Sequence, residues 1–345
     1  MGGGRSSKGF LMRGSYREHH MARRMHGWPK GKGEQQVKME KGEVIAAAAR
    51  IAGKVVRTQL VEARLAGRRI WLKCECLQTG GAFKLRGASN RLLRLTPEER
   101  ARGVVAFSSG NHAQGVAIAA RRLGIAATIV MPSDAPVMKI AGTRAEGAEI
   151  IFYDRLRDSR EEIAAALAEA RGAVVVPSFD DPGVIAGQGT AGLEIIDQLG
   201  RQPARIVTPC GGGGLAAGLS LACPDAAITL VEPAGWDDMG HSLAGGEIVP
   251  VAPDAPPTLC DALQTPRVSP LTFDILRGAT AVSVSDGEVV AAVRRAWFEH
   301  GLVVEPSGAA GLAAVLCGKA VVEEATVVIV SGGNIDPGLH AQLIA

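Results

Sequence analysis

The sequence predicts an α/β protein built on open parallel sheets, and three observations carry the prediction. Short apolar runs alternate with helical patterns of about ten residues or more along most of the chain, the grammar of parallel strands joined by crossover helices. Several strand-to-helix corners are rich in glycine or small polar residues, above all Cys210-Gly211-Gly212-Gly213-Gly214. Ligands of such sheets gather at those corners. Finally, 47% of the 345 residues are apolar and 44 are glycine, enough to bury one large domain or two moderate ones.

The elements follow in order. Val44, Ile45, Ala48 and Ile51 recur at helical spacing, so residues 43–52 read as a helix closed by Gly53. Residues 69–74 read as a strand. A turn at Gly80-Gly81 then leads into a helix from Phe83, with Leu85, Ala88, Leu92 and Leu93 on one side. Strands follow at 104–107, 127–131, 149–153 and 173–176, with helices at 111–123, 137–144 and 158–171 between them. The same alternation resumes with helix 183–199, strand 205–208, helix 214–221 and strand 227–231. Helices 287–300 and 307–316, strand 325–330 and a short last helix complete the chain.

Charge and cysteine usage exclude some classes. Residues 1–38 carry nine Lys/Arg against Glu18 and Glu34, a net of +7, so the other 307 residues sum to −4. The basic stretch has no sustained apolar period and predicts a disordered extension. The body has no nucleic-acid footprint. No run of about eighteen uncharged apolar residues is present, so no membrane span is expected. Six cysteines lie scattered in apolar contexts. Cys74 and Cys76 share one face of a strand, a weak metal hint that reads better as buried thiols. The expected compartment is reducing and cytoplasmic.

Lys84 is the residue that composition does not explain. It falls in the first turn of a helix, where the positive end of the helix dipole disfavours a cation. A solvated lysine would tolerate that cost. A poorly solvated one would be held neutral, as a nucleophilic amine that condenses with aldehydes. Lys73, Glu75, Gln78, Gly81, Ala82, Phe83, Lys84, Arg86, Gly87 and Ala88 resemble the lysine motif of the fold-type II pyridoxal-phosphate enzymes, in the branch of threonine dehydratases, serine dehydratases and serine racemases. Cys76 departs from the asparagine common there.

Three further strings fit the same resemblance. Ser108-Ser109-Gly110-Asn111-His112-Ala113-Gln114-Gly115 offers hydroxyls and free N–H groups at a helix start, which suit an anion. The glycines Gly211, Gly212, Gly213 and Gly214 suit a phosphate. Read alone, Gly211-x-Gly213-x-x-Ala216 with Glu232 ending the next strand also fits a dinucleotide site. That rival leaves the lysine and serine strings unexplained. Val330-Ser331-Gly332-Gly333-Asn334 forms a third strand-to-helix corner.

The resemblance spans about residues 40–337 and implies a tryptophan-synthase-β-like fold of two open parallel-sheet domains with the cofactor between them. Residues 39–94 and 179–345 would form the large domain and 95–178 the small inserted one. Pyridoxal 5'-phosphate would be bound by Phe83, Lys84, Asn111, Gly211, Gly212, Gly213, Gly214, Leu215, Glu305 and Ser331, with the Ser331 hydroxyl at its ring nitrogen. Ser108, Ser109, Asn111 and His112 would hold the substrate carboxylate, and Lys84 and Ser109 would be catalytic. Glu232, the Trp236 carbonyl and Asp238 would take Mg²⁺ or Ca²⁺. The implied activity is an ammonia-lyase converting L-threonine or L-serine to 2-oxobutanoate or pyruvate. The alternatives are a serine or aspartate racemase, with Ser109 as second acid/base, and a dehydratase of another β-hydroxy amino acid such as 3-hydroxyaspartate. An acidic substrate would need an extra pocket cation, which the motifs do not place. A homodimer is the expected assembly. No regulatory domain follows the matched region, so feedback by isoleucine is not expected.

Overall fold

The computed structural model describes residues 38–345 except Ala66, Ser109 and Leu156; all but Lys38 of the predicted extension, and Ser109, therefore lie outside the described residues. The chain begins on one sheet, builds a second, and returns to the first. After helix α1 (Lys41–Ile51), strands β1 (Leu60–Leu65) and β2 (Arg68–Cys74) open the larger sheet. Helices α2 (Lys84–Leu93) and α3 (Pro97–Arg102) then lead out of it. The smaller sheet is built from β3 (Val104–Phe107), α4 (Asn111–Leu123), β4 (Ala127–Pro132), α5 (Val137–Ala145), β5 (Glu149–Tyr153), α6 (Arg160–Arg171) and β6 (Val174–Val175). Helix α7 (Pro182–Leu199) brings the chain back.

The remainder completes the larger sheet: β7 (Arg205–Pro209), α8 (Gly214–Ala222), β8 (Ala227–Pro233), α9 (Asp238–Gly245), α10 (Pro270–Ile275) and β9 (Thr280–Val284). Helices α11 (Asp286–His300) and α12 (Pro306–Leu316), strand β10 (Thr326–Val330) and α13 (Pro337–Ile344) follow. The strand orders are β1-β2-β10-β7-β8-β9 and β5-β4-β3-β6. All pairings are parallel except β1 with β2. That antiparallel edge was not expected. Only Ala63 of β1 is fully buried, so the strand carries little of the apolar signal that marks its neighbours.

Helices cover both faces of the larger sheet, which therefore has two cores, one around Leu72, Val207 and Val328 and one around Ile206, Leu230 and Ile329. The smaller sheet has its own, around Val104, Ile129 and Met131. Helix α2 does not simply follow the larger sheet. Its Leu85, Ala88 and Leu92 pack into the smaller sheet's core, so the helix that carries Lys84 is clamped between the two.

Helix starts differ in a way that bears on the site. Thr96, Ser159, Asp181, Ser269, Ser285 and Asp336 accept a backbone N–H at the starts of α3, α6, α7, α10, α11 and α13, as N-caps do. No described side chain caps α5 or α9, nor α2, α4, α8 and α12. The last four are the helices that begin at Lys84, Asn111, Gly214 and Pro306, beside the strings singled out above. Their leading N–H groups are left for something else.

Candidate active site

The uncapped corners meet between the two sheets. Lys84 stands at the start of α2, its Nζ donating to the Ser178 carbonyl at 2.9 Å and lying 5.1 Å from the centre of the Phe83 ring. Burial lowers its pKa to about 8, since desolvation disfavours the ammonium form. The amine is therefore far closer to neutrality than an ordinary lysine. Phe83 itself is half-buried and packs toward the larger sheet.

Across the cleft, the loop between β3 and α4 supplies the polar wall. The Ser108 hydroxyl accepts from the Gly110 N–H at 3.2 Å. Asn111 is buried, and its Nδ2 donates to Glu305 while its Oδ1 accepts from Asn334 at 2.8 Å. His112 turns its ring the other way, with Nε2 donating to the Val176 carbonyl at 2.9 Å. Burial pushes its pKa down to about 3, so the ring is neutral and its Nδ1 is an acceptor. That ring has no proton to offer a carboxylate. What His112 contributes to an anion is its place in the uncapped first turn of α4.

The glycine corner between β7 and α8 is shaped by close approach. A Cβ on Gly212 would meet the Phe179 ring at 2.3 Å, and one on Gly214 would meet Phe179 at 2.9 Å. Gly213 has φ +85°, in the left-handed region that glycine favours. Leu215, the second residue of α8, has its side chain buried in the core. Ser331 is buried at the end of β10, with its backbone carbonyl holding the Phe83 N–H at 3.2 Å and Ala82 bridged to Gly332. A Cβ on Gly332 would stand 2.2 Å from Glu305 Oε1.

Two orphaned atoms test whether a ligand belongs here. Glu305 Oε2 and His112 Nδ1 are buried without a hydrogen-bond partner among the described residues, although buried polar groups are rarely left so. Burial raises Glu305 to about 7. A desolvated lysine, four uncapped helix starts, a cradle no larger residue could line and an unpartnered acid fit an aldehyde-bearing phosphate such as pyridoxal phosphate. Residues 84, 108, 111, 112, 211–214, 305 and 331 all lie at these corners.

Sequence reasoning missed several participants. Asn334 donates to Gly80 O at 2.6 Å and to Gln114 Oε1 at 3.0 Å as well as to Asn111. It thus ties both sheets together at the site. Phe179, Ser178 and the ion pair of Lys139 with Asp261 were also unassigned. Only Asn334 had a signal, its place at the end of a glycine corner.

The expected cation site lies under the same corner. Strand β8 runs to Pro233, so Glu232 lies near its end, as expected. It is fully buried and accepts from the Met239 and Gly240 N–H groups at 3.0 and 2.8 Å. Asp238 is buried with both carboxylate oxygens unpartnered among the described residues. Burial raises Glu232 to about 8 and Asp238 to about 7. Trp236 sits in the turn between them, its indole donating to Pro256 O at 2.7 Å. Two desolvated acids beside a turn carbonyl fit a hard divalent cation. No group of three or more His, Cys, Asp or Glu side chains suited to a metal occurs among the described residues. All six cysteines are free, and the Cys74 thiol donates to the Leu72 carbonyl at 3.5 Å. Among the described residues, no helix is long and apolar enough to cross a membrane.

Comparison with known proteins places these corners in context. Residues 51–333 match the family described as "Pyridoxal-phosphate dependent enzyme". An L-threo-3-hydroxyaspartate ammonia-lyase of a Pseudomonas species is 44% identical over 313 residues, 88% of this chain and 97% of the relative. The protein of the same name from Saccharomyces cerevisiae is 40% identical, over 88% of this chain and 96% of its own. The structure of maize serine racemase superposes with a TM-score of 0.83 at 37% identity, covering 89% of this chain and 97% of that one.

Proposed function

Since the chain belongs to the pyridoxal-phosphate dependent enzymes, we propose that it is an ammonia-lyase for small β-hydroxy amino acids. The candidates are L-serine, L-threonine and L-threo-3-hydroxyaspartate. The observation that carries the reading is the desolvated Lys84 amine facing uncapped helix starts across a cleft. When bound, the cofactor supplies an electron sink for the substrate's α-carbon.

The chain's own groups have distinct tasks in this proposal. Gly211, Gly212, Gly213 and Gly214 with the start of α8 hold the phosphate. The Ser331 hydroxyl would partner the ring nitrogen and Asn111 the ring hydroxyl. A hydroxyl partner leaves that nitrogen largely unprotonated, which favours prompt loss of a β-substituent over a long-lived carbanion. The β3–α4 loop orients the substrate carboxylate. Lys84 Nζ, neutral near pH 8, takes the α-proton. Lys84, now carrying that proton, can deliver it to the departing β-hydroxyl, which leaves as water, and hydrolysis of the released enamine gives the oxo acid and ammonia.

Glu232, the Trp236 carbonyl and Asp238 are proposed to hold Mg²⁺ or Ca²⁺. The free cysteines favour a cytoplasmic setting, and a homodimer is the assembly we propose. A time course with each of the three amino acids, following oxo acid and chirality together, tests the reading. Oxo acid with little D-isomer is expected. D-isomer accumulating ahead of oxo acid would make the protein a racemase, an activity that the maize neighbour carries in its name.

A further inference from the structure

One cation in the cleft is left unused by the reading above. Lys139 lies in the first turn of α5, on the smaller-sheet side, with its side chain only 12% exposed. A cation at a helix start is disfavoured by the helix dipole, so this one needs an anionic partner. It has one from the opposite wall: Nζ pairs with Asp261, in the short turn Asp261–Leu263 that precedes α10. That turn is fixed beside Glu305, because the Ala262 N–H donates to Ser307 Oγ at 3.0 Å.

The ammonium also reaches the substrate wall. Nζ lies 3.4 Å from where a Cβ on Gly110 would stand, and Gly110 precedes Asn111 in the carboxylate loop. Its charge is felt at Glu305. Lys139 therefore stands between Gly110 and Asp261, at the meeting of the two walls. Arg160, the other small-sheet cation near the loop, is committed elsewhere: it stacks on Phe107 at 5.5 Å and pairs with Glu161 at 2.8 Å.

We propose that Lys139 recognises the second carboxylate of a dicarboxylic β-hydroxy amino acid, which makes 3-hydroxyaspartate a substrate of this site. The proposal rests on the ammonia-lyase reading. Without Lys139, a second carboxylate entering here would meet two acids, Asp261 and Glu305, and no cation. With it, the exchange is even. Asp261 is 44% exposed and can turn to water, while the incoming carboxylate takes its place on the ammonium. A monocarboxylic substrate leaves the Lys139–Asp261 pair intact. The same cleft then accepts serine without an unpaired charge.

The test compares the pyridoxal-loaded wild type with Lys139→Met, Lys139→Arg, Asp261→Asn and Arg160→Gln. It measures kcat/KM for L-threo-3-hydroxyaspartate and for L-serine, and calorimetric binding of succinate against acetate. In Lys139→Met, the ratio of hydroxyaspartate to serine efficiency should fall about 10- to 100-fold, the worth of one hydrogen bond to a charged group. Succinate binding should weaken by a similar factor, and Lys139→Arg should restore much of both. Asp261→Asn should move the ratio the other way by removing the competing acid. Equal losses on both substrates with succinate unchanged would make Lys139 a structural pair only and overturn the proposal. A ratio change confined to Arg160→Gln would do the same. If the wild type releases oxo acid from neither substrate, the ammonia-lyase reading fails, and the succinate measurement still decides the role of Lys139.

Discussion

A lysine is an ordinary surface residue until its surroundings remove the water, and Lys84 shows how few neighbours that takes. It sits at an uncapped helix start, with the Ser178 carbonyl as its hydrogen-bond partner among the described residues. Burial brings its pKa to about 8, so the neutral, nucleophilic form is abundant at mildly alkaline pH. The sign follows directly: protonation disables the amine, so its reactivity rises with pH and levels off above about 8. The rate at which cofactor-free protein takes up pyridoxal phosphate, followed by absorbance, should show that profile. A plateau only above pH 10 would mean the amine is solvated. Lys84→Ala should abolish lyase turnover in protein that still folds; appreciable activity would refute its role. At this scale the sequence was most legible where chemistry is local. The lysine motif and glycine corners are contiguous strings, although part of the first, Lys73, Glu75 and Arg86, forms a buried ion cluster under the helix rather than lining the site. His112 shows the limit, because only the fold reveals that its ring faces Val176. Phe179 and Asp261 reach the site from remote segments, and no spacing announces such meetings.

The element that positions this amine is α2, and what holds α2 is a buried ion cluster. Arg86 is fully buried and grips Glu75 through Nε and Nη2, both at 2.8 Å, and Glu194 through Nη1 at 2.7 Å and Nη2 at 2.8 Å. Lys73 reaches the same Glu194 at 2.6 Å. The cluster joins the end of β2, the first turn of α2 and the second half of α7, two residues from Lys84. Charges cancel within it, so its members are costly to remove singly. Arg86→Met should leave two buried carboxylates short of a partner and destabilise the protein by about 3–5 kcal/mol, measured by urea unfolding. A loss under 1 kcal/mol would show that the cluster is hydrated in solution. Helix and strand periods made most of these elements visible in advance, several with the same bounds to the residue. The missed ones share a cause. Strands β1 and β9 lie at sheet edges and are only half-buried along much of their length, so their apolar signal is diluted. Helices α3, α9 and α10 are short, with too few turns for a period to show.

For the molecule as a whole, the cleft is only as firm as the joints under it, and the acidic pair on β8 and α9 is one such joint. Met239, whose N–H is held by Glu232, puts its Cε 3.0 Å from where a Cβ on Gly213 would stand, beneath the glycine corner. Anything that orders Glu232 and Asp238 therefore steadies that corner. Both acids have folded pKa values, about 8 and about 7, raised above their ordinary values by burial. Groups of that kind stabilise the fold in acid and lose that contribution as pH rises from the ordinary carboxylate range through 7 to 8. A divalent cation reverses the loss by taking the place of the protons, so its affinity should increase over the same interval. At a hundredfold excess over Kd, the cation should add about 2.7 kcal/mol to stability. That should appear as a Tm several degrees higher with Mg²⁺ or Ca²⁺ than with chelator at pH 8, and a much smaller difference at pH 6. Asp238→Asn, which keeps the shape and removes one charge, should erase the increment. An increment that survives that substitution, or that does not change with pH, would place the cation elsewhere.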